Sequence, residues 1–218
     1  MLEAAREFRP ARLIHTSTSE VYGTALQVPI TERHPLQGQS PYSASKIGAD
    51  KLAEAYFCAF DVPVVTVRPF NTFGPRQSAR AIVATIITQM LRSDHVCLGF
   101  LEPTRDLTFV RDTVRGFLLA AQAADAAGHV FNLGYGAEIS IGNLILIADV
   151  VGKSVSVVTE QHRTRPLRSE VMRLLSDNSL AREKLGWAPQ ISLREGLAIT
   201  TEWIRSHLGF YTSEGYQI

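Results

Sequence analysis

The chain has 218 residues, 45 % of them apolar and 20 % charged, with a formal net charge of +1. This length and composition suit a packed globular core, and the near-neutral charge excludes a nucleic-acid or membrane footprint built on bulk charge. Two cysteines, Cys58 and Cys97, without CxxC spacing argue against a disulfide framework or zinc site and fit a reducing cytoplasm.

Residues 1–8 read as half of an amphipathic helix, with acidic residues and no apolar stretch of the kind a signal peptide needs. No apolar run approaches the roughly 18 residues of a membrane span. Residues 12–18 read as a buried strand ending in the small hydroxylated residues Thr16, Ser17 and Thr18. A loop rich in Pro and Gly runs over 23–40. Pro41 sits where a helix can start, because its missing N–H costs nothing there. Apolar residues at helical spacing carry that helix from Tyr42 to about Phe60, and Asp61-Val62-Pro63 breaks it. Val64 to Val67 is β-branched throughout and reads as a second buried strand. A loop is expected over 69–75 and a helix over 81–91. Short strands follow near 96–98 and 108–110, and then a helix over 113–124 with Asp112 as its cap. A strand over 129–133, a helix over 141–150, a strand over 155–159 and helices near 179–184 and 193–207 complete the pattern. Strands alternating with helices predict an α/β fold with a mainly parallel sheet covered on both faces. Reactive groups then gather beyond the strands' carboxyl ends, here Thr16–Glu20 and Arg68–Asn71.

Tyr42 and Lys46 lie four apart on one predicted helix, a spacing that stacks both side chains on one face. A cation beside a phenol favours the phenolate, which can act as a base. Taken alone, the pair reads as an ordinary solvated helix face, since Y-x-x-x-K is common by chance. The six histidines show no metal-ligand spacing, so no metal is assigned.

Three blocks change the weight of that pair. Thr16-Ser17-Thr18-Ser19-Glu20-Val21-Tyr22-Gly23 ends a predicted strand, Ser40-Pro41-Tyr42-Ser43-Ala44-Ser45-Lys46 opens the helix, and Val67-Arg68-Pro69-Phe70-Asn71-Thr72-Phe73-Gly74-Pro75-Arg76 follows the next strand. In this order and spacing they resemble the extended short-chain dehydrogenase/reductases that act on nucleotide sugars, the NAD-dependent epimerase/dehydratase family. The resemblance continues through Arg105 to Asp112 and Leu185-Gly186-Trp187-Ala188-Pro189, and so covers residues 12 to about 205.

The resemblance implies a Rossmann-like, doubly wound parallel sheet with a smaller C-terminal α/β substrate domain. Residues 1–75 would be the C-terminal half of the NAD-binding domain with the catalytic residues. Residues 76–218 would mainly bind substrate, with some strands and helices returning to the sheet. It further implies that Thr18 hydrogen-bonds the sugar's 4-hydroxyl and that Tyr42 takes that hydroxyl's proton as C4 is oxidised. Lys46 would hold the nicotinamide ribose, with Thr16 and Pro69 also beside the cofactor. Ser19, Asn71, Arg76, Arg105 and Arg173 would meet the substrate, Arg105 on its diphosphate, where a guanidinium can grip two oxygens at once. The plain alternative for Arg105 is an ion pair with neighbouring Asp106. Arg165, Pro166, Arg168 and Arg173 form a basic stretch that reads equally as a nucleotide-closing segment or a solvated loop. By the same resemblance, the helix of Tyr42 to Phe60, through Ile47, Leu52, Ala55 and Phe57, and the region Ile82 to Leu91 would pack against a second subunit in a homodimer.

Glu20 separates subclasses within the family. Once C4 is a ketone, a carboxylate beside C5 can remove the acidified C5 proton and let the C6 oxygen leave as water. 4,6-Dehydratases carry a Glu here, whereas simple 4-epimerases usually do not. Ser19 stands where the thymidine-diphosphate-glucose dehydratases have an Asp, so Glu20 is left as the sole carboxylate, with a strand-end salt bridge as its plain alternative. The runs Gly38 to Lys51 and Gly74 to Arg80 are similar to dehydratases of the legionaminic-acid type, which act on an N-acetylglucosamine nucleotide. Ile47 stands where decarboxylases tend to carry Arg. The reading is therefore a cytoplasmic NAD-dependent nucleotide-sugar 4,6-dehydratase acting on a UDP- or GDP-N-acetylglucosamine-type substrate. The alternatives are a 4-epimerase or decarboxylase of the same family, or an inactive remnant.

The family's Gly-rich cofactor turn is not visible. The first glycine is Gly23, and Gly134–Gly136 lacks a third glycine and opens no strand–turn–helix unit. The resemblance thus implies that the first βαβαβ half of the sheet, roughly a hundred or more residues, is absent, and that this chain alone is inactive.

Overall fold

A computed structural model describes residues 1–160 and 170–211. Helix α1 (Leu2–Phe8) stops where Arg9 turns left-handed, just ahead of Pro10. Strand β1 (Leu13–Thr16) leads into a 3-10 turn, Ser19–Tyr22. Helix α2 (Pro41–Phe60) starts as its sequence dictates. Ser40 accepts from the Ser43 N–H, Ser43 returns the bond, and Pro41 occupies the first turn, where no N–H is needed. Asp61, left-handed at φ 52°, ends it.

Strand β2 (Val64–Pro69) pairs in parallel with β1, Leu13 opposite Val64, and with β6 (Val130–Leu133), Thr66 opposite Val130. This gives a three-stranded parallel sheet in the order β1-β2-β6. Alternation along β2 sends successive side chains to opposite faces. Val64 packs with Ala5 and Ala53 of α1 and α2, while Val65 and Val67 pack with Ala120, Phe131, Leu185 and Trp187. The second set belongs in part to α4 (Val110–Gln122) and α6 (Ser179–Leu185), so the sheet is covered on both faces.

The remaining strands form two further sheets. Strand β3 (Asn71–Phe73) runs parallel to β5 (Thr104–Phe109), which pairs antiparallel with β7 (Glu138–Ser140). Strand β4 (His95–Leu98) runs parallel to β8 (Ser156–Thr159). A second core gathers Phe73, Phe109 and the apolar faces of α3 (Ile82–Arg92), α5 (Ile147–Val151) and α7 (Leu193–Ser206).

Three expectations are corrected. The loop over 69–75 contains β3, three residues too few to show a periodicity. The 141–150 helix begins as a 3-10 turn, Gly142–Leu146, and only then becomes α5. Helix α4 starts at Val110, so Asp112 lies inside its first turn and is not its cap. Its buried carboxylate instead accepts from the N–H groups of Gln190 and Ile191 and from Arg115. Helix α3 also places Val83, Ile86, Ile87 and Met90 in the chain's own core.

Candidate active site

The carboxyl ends of β1 and β2 lie side by side because the two strands are parallel neighbours in register. Thr18, extended at φ −160°, accepts the Glu20 N–H on its hydroxyl at 3.2 Å and so starts the turn that presents Glu20. From α2, Lys46 reaches the end of β1 and donates from Nζ to the Thr16 carbonyl at 3.1 Å. Tyr42, one turn earlier on α2, is half exposed. Pro69 ends β2, paired with Leu133.

A cleft of about 290 Å³ is lined by Glu20, Asn71, Gln77, Arg105 and Glu170, while Thr16, Thr18, Tyr42, Lys46 and Pro69 are not among its lining residues. Among the described residues the Glu20 carboxylate has no ion pair or hydrogen-bond partner, so its salt-bridge alternative is not met. Asn71 Oδ1 and Gln77 Oε1 are buried acceptors without a donor among the described residues. Arg105 does not pair with Asp106. Its Nη2 donates to Glu170 Oε1 at 2.8 Å, and its Nη1 to the carbonyls of Val171 and Thr104. Adjacent strand residues point to opposite faces, which carries Asp106 away into the interior. There its carboxylate accepts the N–H groups of Tyr135, Gly136 and Ser176. Burial outweighs these bonds and pushes the Asp106 carboxyl up to about 6. The same bonds occupy the Tyr135 and Gly136 amides, which therefore form no pyrophosphate cradle.

The structure thus brings Lys46 onto Thr16, Thr18 onto the Glu20 turn, and Glu20, Asn71 and Arg105 into one cleft. Ser19 is buried. Arg76, exposed and left-handed at φ 66°, is not among the cleft-lining residues. Arg173 is held on Glu138, its Nε 3.0 Å from either oxygen, and this bond keeps Glu138 below the usual carboxylate range. Arg165, Pro166 and Arg168 lie outside the described residues. Sequence reasoning missed Gln77 and Glu170. Gln77 sat inside the run Gly74 to Arg80, and Glu170 carried no motif.

The family model described as GDP-mannose 4,6 dehydratase matches residues 1–200. A UDP-glucose 4-epimerase of Mycolicibacterium smegmatis is 34 % identical over 211 residues, covering 94 % of this chain and 66 % of that protein. A dTDP-glucose 4,6-dehydratase of an Actinoplanes species is 33 % identical over 217 residues, covering 97 % of this chain and 66 % of its own. The solved UDP-glucuronic acid 4-epimerase from Bacillus cereus, in complex with UDP-glucuronic acid and NAD, matches with a TM-score of 0.87 at 29 % identity. That match covers 94 % of this chain and 65 % of the other. The chain therefore spans just under two thirds of the length of these relatives. Among the described residues no helix is long and apolar enough to cross a membrane.

Proposed function

The chain belongs to the GDP-mannose 4,6 dehydratase family, and from that premise we propose that it carries the catalytic and substrate-binding part of an NAD-dependent nucleotide-sugar 4,6-dehydratase. Glu20 carries this reading. It offers a carboxylate without a partner among the described residues, in a cleft shared with Asn71 and Arg105. Thr18, whose hydroxyl accepts from Glu20 N–H and still has its own proton to give, binds the sugar's 4-hydroxyl. Tyr42 takes that hydroxyl's proton as C4 is oxidised. Glu20 then removes the C5 proton and passes it to the C6 hydroxyl, which leaves as water. The guanidinium of Arg105 binds the diphosphate, and Asn71 and Gln77 accept from donors of the substrate.

NAD, when bound, supplies the hydride acceptor for C4 and the hydride returned to C6. Thr16, Tyr42, Lys46 and Pro69 are the residues that hold its nicotinamide end. They suit it, because Lys46 spends one of three N–H donors on Thr16 and keeps two for ribose hydroxyls. We further assign an N-acetylglucosamine nucleotide as substrate, on the resemblance of Gly38 to Lys51 and Gly74 to Arg80. Residues 1–75 are assigned to the cofactor side and 76–218 mainly to the substrate side. A homodimer would form through the outer face of α1 and α2, where Phe8, Leu52 and Ala55 are exposed.

The test is to incubate the chain with NAD and UDP-N-acetylglucosamine and to weigh the product. A product lighter by one water supports the dehydratase reading and overturns the inactivity implied for this chain alone, and Glu20→Gln should then oxidise C4 without eliminating water. A product of unchanged mass would make the chain a 4-epimerase instead. A parallel calorimetric titration with NAD decides whether the chain holds its oxidant. Absence of both binding and turnover would overturn the reading for this chain.

A further inference from the structure

A buried polar cluster beneath the site has no part in the proton transfers. Asp50 sits on α2 one turn after Lys46, with its side chain 5 % exposed. Its two oxygens face two different strands. Oδ1 meets His15 Nε2 at 2.8 Å, and Oδ2 accepts from Arg68 Nη2 at 2.8 Å and Nε at 3.1 Å. His15 immediately precedes Thr16, whose carbonyl holds Lys46, and Arg68 immediately precedes Pro69. Arg68 also donates from Nη1 to the Tyr22 hydroxyl at 2.9 Å, and Tyr22 closes the turn that bears Glu20. The Tyr22 hydroxyl donates in turn to Asn132 on β6 at 2.7 Å. One carboxylate and one guanidinium therefore tie α2, β1, β2, β6 and the Glu20 turn together.

Adhesion alone does not call for such a pair. Ala53 and Val64 already pack α2 on the sheet, and a buried ion pair is often no more stabilising than apolar residues of the same volume. A guanidinium bonded to one carboxylate through two N–H groups fixes both distance and angle. Apolar contacts fill space without fixing a direction. We propose that Asp50 and Arg68 are positioning residues, which set the register of α2 so that Lys46 stays on Thr16 at the mouth of the site. The proposal rests on the reading of Thr16 and Lys46 as site residues, but its test needs no catalysis.

The chain has four lysines, Lys46, Lys51, Lys153 and Lys184. Brief labelling with an N-hydroxysuccinimide acetate, read by peptide mass spectrometry, gives each amine's rate in the wild type, Arg68→Lys and Asp50→Glu. Both substitutions conserve charge and disturb only the geometry of the pair, so a change in rate is not an electrostatic one. With circular dichroism showing a folded variant, the Lys46 rate should rise several-fold while Lys153 and Lys184 keep theirs. An unchanged Lys46 rate in a folded variant would overturn the proposal. So would a rise shared by Lys153 and Lys184, which marks general loosening. If Arg68→Lys does not fold, Asp50→Glu decides by the same criterion. Failure of the chain to bind NAD or nucleotide sugar would sink the functional reading and leave the lysine result intact.

Discussion

Arg105 and Glu170 hold each other at the wall of the cleft, Nη2 to Oε1 at 2.8 Å, with side chains only 14 % and 9 % exposed. A diphosphate that engages Arg105 must compete with this carboxylate. Glu170→Gln removes the competing charge and should tighten UDP binding about fivefold, roughly 1 kcal/mol. Arg105→Gln should weaken binding tenfold or more. Calorimetry with UDP checks both. Weaker binding by Glu170→Gln would mean that Glu170 instead holds Arg105 in its working pose.

Stability should carry two opposite pH signatures. The Asp106 carboxyl is raised by burial from 3.8 to about 6. Between those values the unfolded chain is ionised and the folded one protonated, so the contribution of Asp106 is full below about pH 4 and lost as pH rises through 6. Asp50 runs the other way. Burial pushes its carboxyl up, but the His15 hydrogen bond and the Arg68 ion pair outweigh it and hold the group below its ordinary value. Its contribution is present above the ordinary carboxylate range and lost as pH falls through the lowered value. Melting temperatures of wild type and Asp106→Asn from pH 4 to 7 isolate the first effect. The wild type's margin over the variant should shrink as pH rises, and a constant margin would refute this account of Asp106.

Gly116 is a test of close packing. A Cβ built there would lie 2.4 Å from Leu133 Cδ1 and 3.1 Å from Trp187 Nε1. Alanine would gain about 1 kcal/mol of helix propensity, yet overpacking of this kind costs about 1–3 kcal/mol. Gly116→Ala should therefore lower the melting temperature, and an unchanged midpoint would mean that Leu133 can yield.

Gln77 should separate stability from binding. Its Oε1 is buried without a donor among the described residues, while its Nε2 donates to the Thr72 carbonyl at 2.8 Å. Gln77→Met loses one hydrogen bond and one unsatisfied acceptor, which nearly offset each other, so stability should stay within about 1 kcal/mol. Binding of UDP-N-acetylglucosamine should weaken. Unaltered binding would remove Gln77 from the substrate's contacts.

What could be read in advance was local. The β-branched run before Arg68, Pro41 at a helix start and Asp61 at its end each act within a few residues, and the elements follow them. The i,i+4 spacing of Tyr42 and Lys46 placed them on one helix face, but only the fold shows Lys46 meeting Thr16, 30 positions away. Arg105 was singled out by its resemblance, while its partner Glu170 lies 65 positions on. The plain guess of a neighbouring Asp106 failed because a strand turns adjacent side chains apart. Asp50 and Arg68 both stood inside quoted blocks, and nothing in their spacing of 18 announces that they touch.

Asp112 has a consequence for how the two cores behave. Its carbonyl takes the indole N–H of Trp187 at 2.8 Å, and its carboxylate takes the amides of Gln190 and Ile191. Trp187 fills the core under the parallel sheet, and α7, which starts just beyond Ile191, delivers Leu197 and Ile204 to the other core. The strand of chain between them is thus riveted midway to α4, which itself leaves β5. Neither core can melt without pulling on that rivet, so heat should take both in one cooperative step.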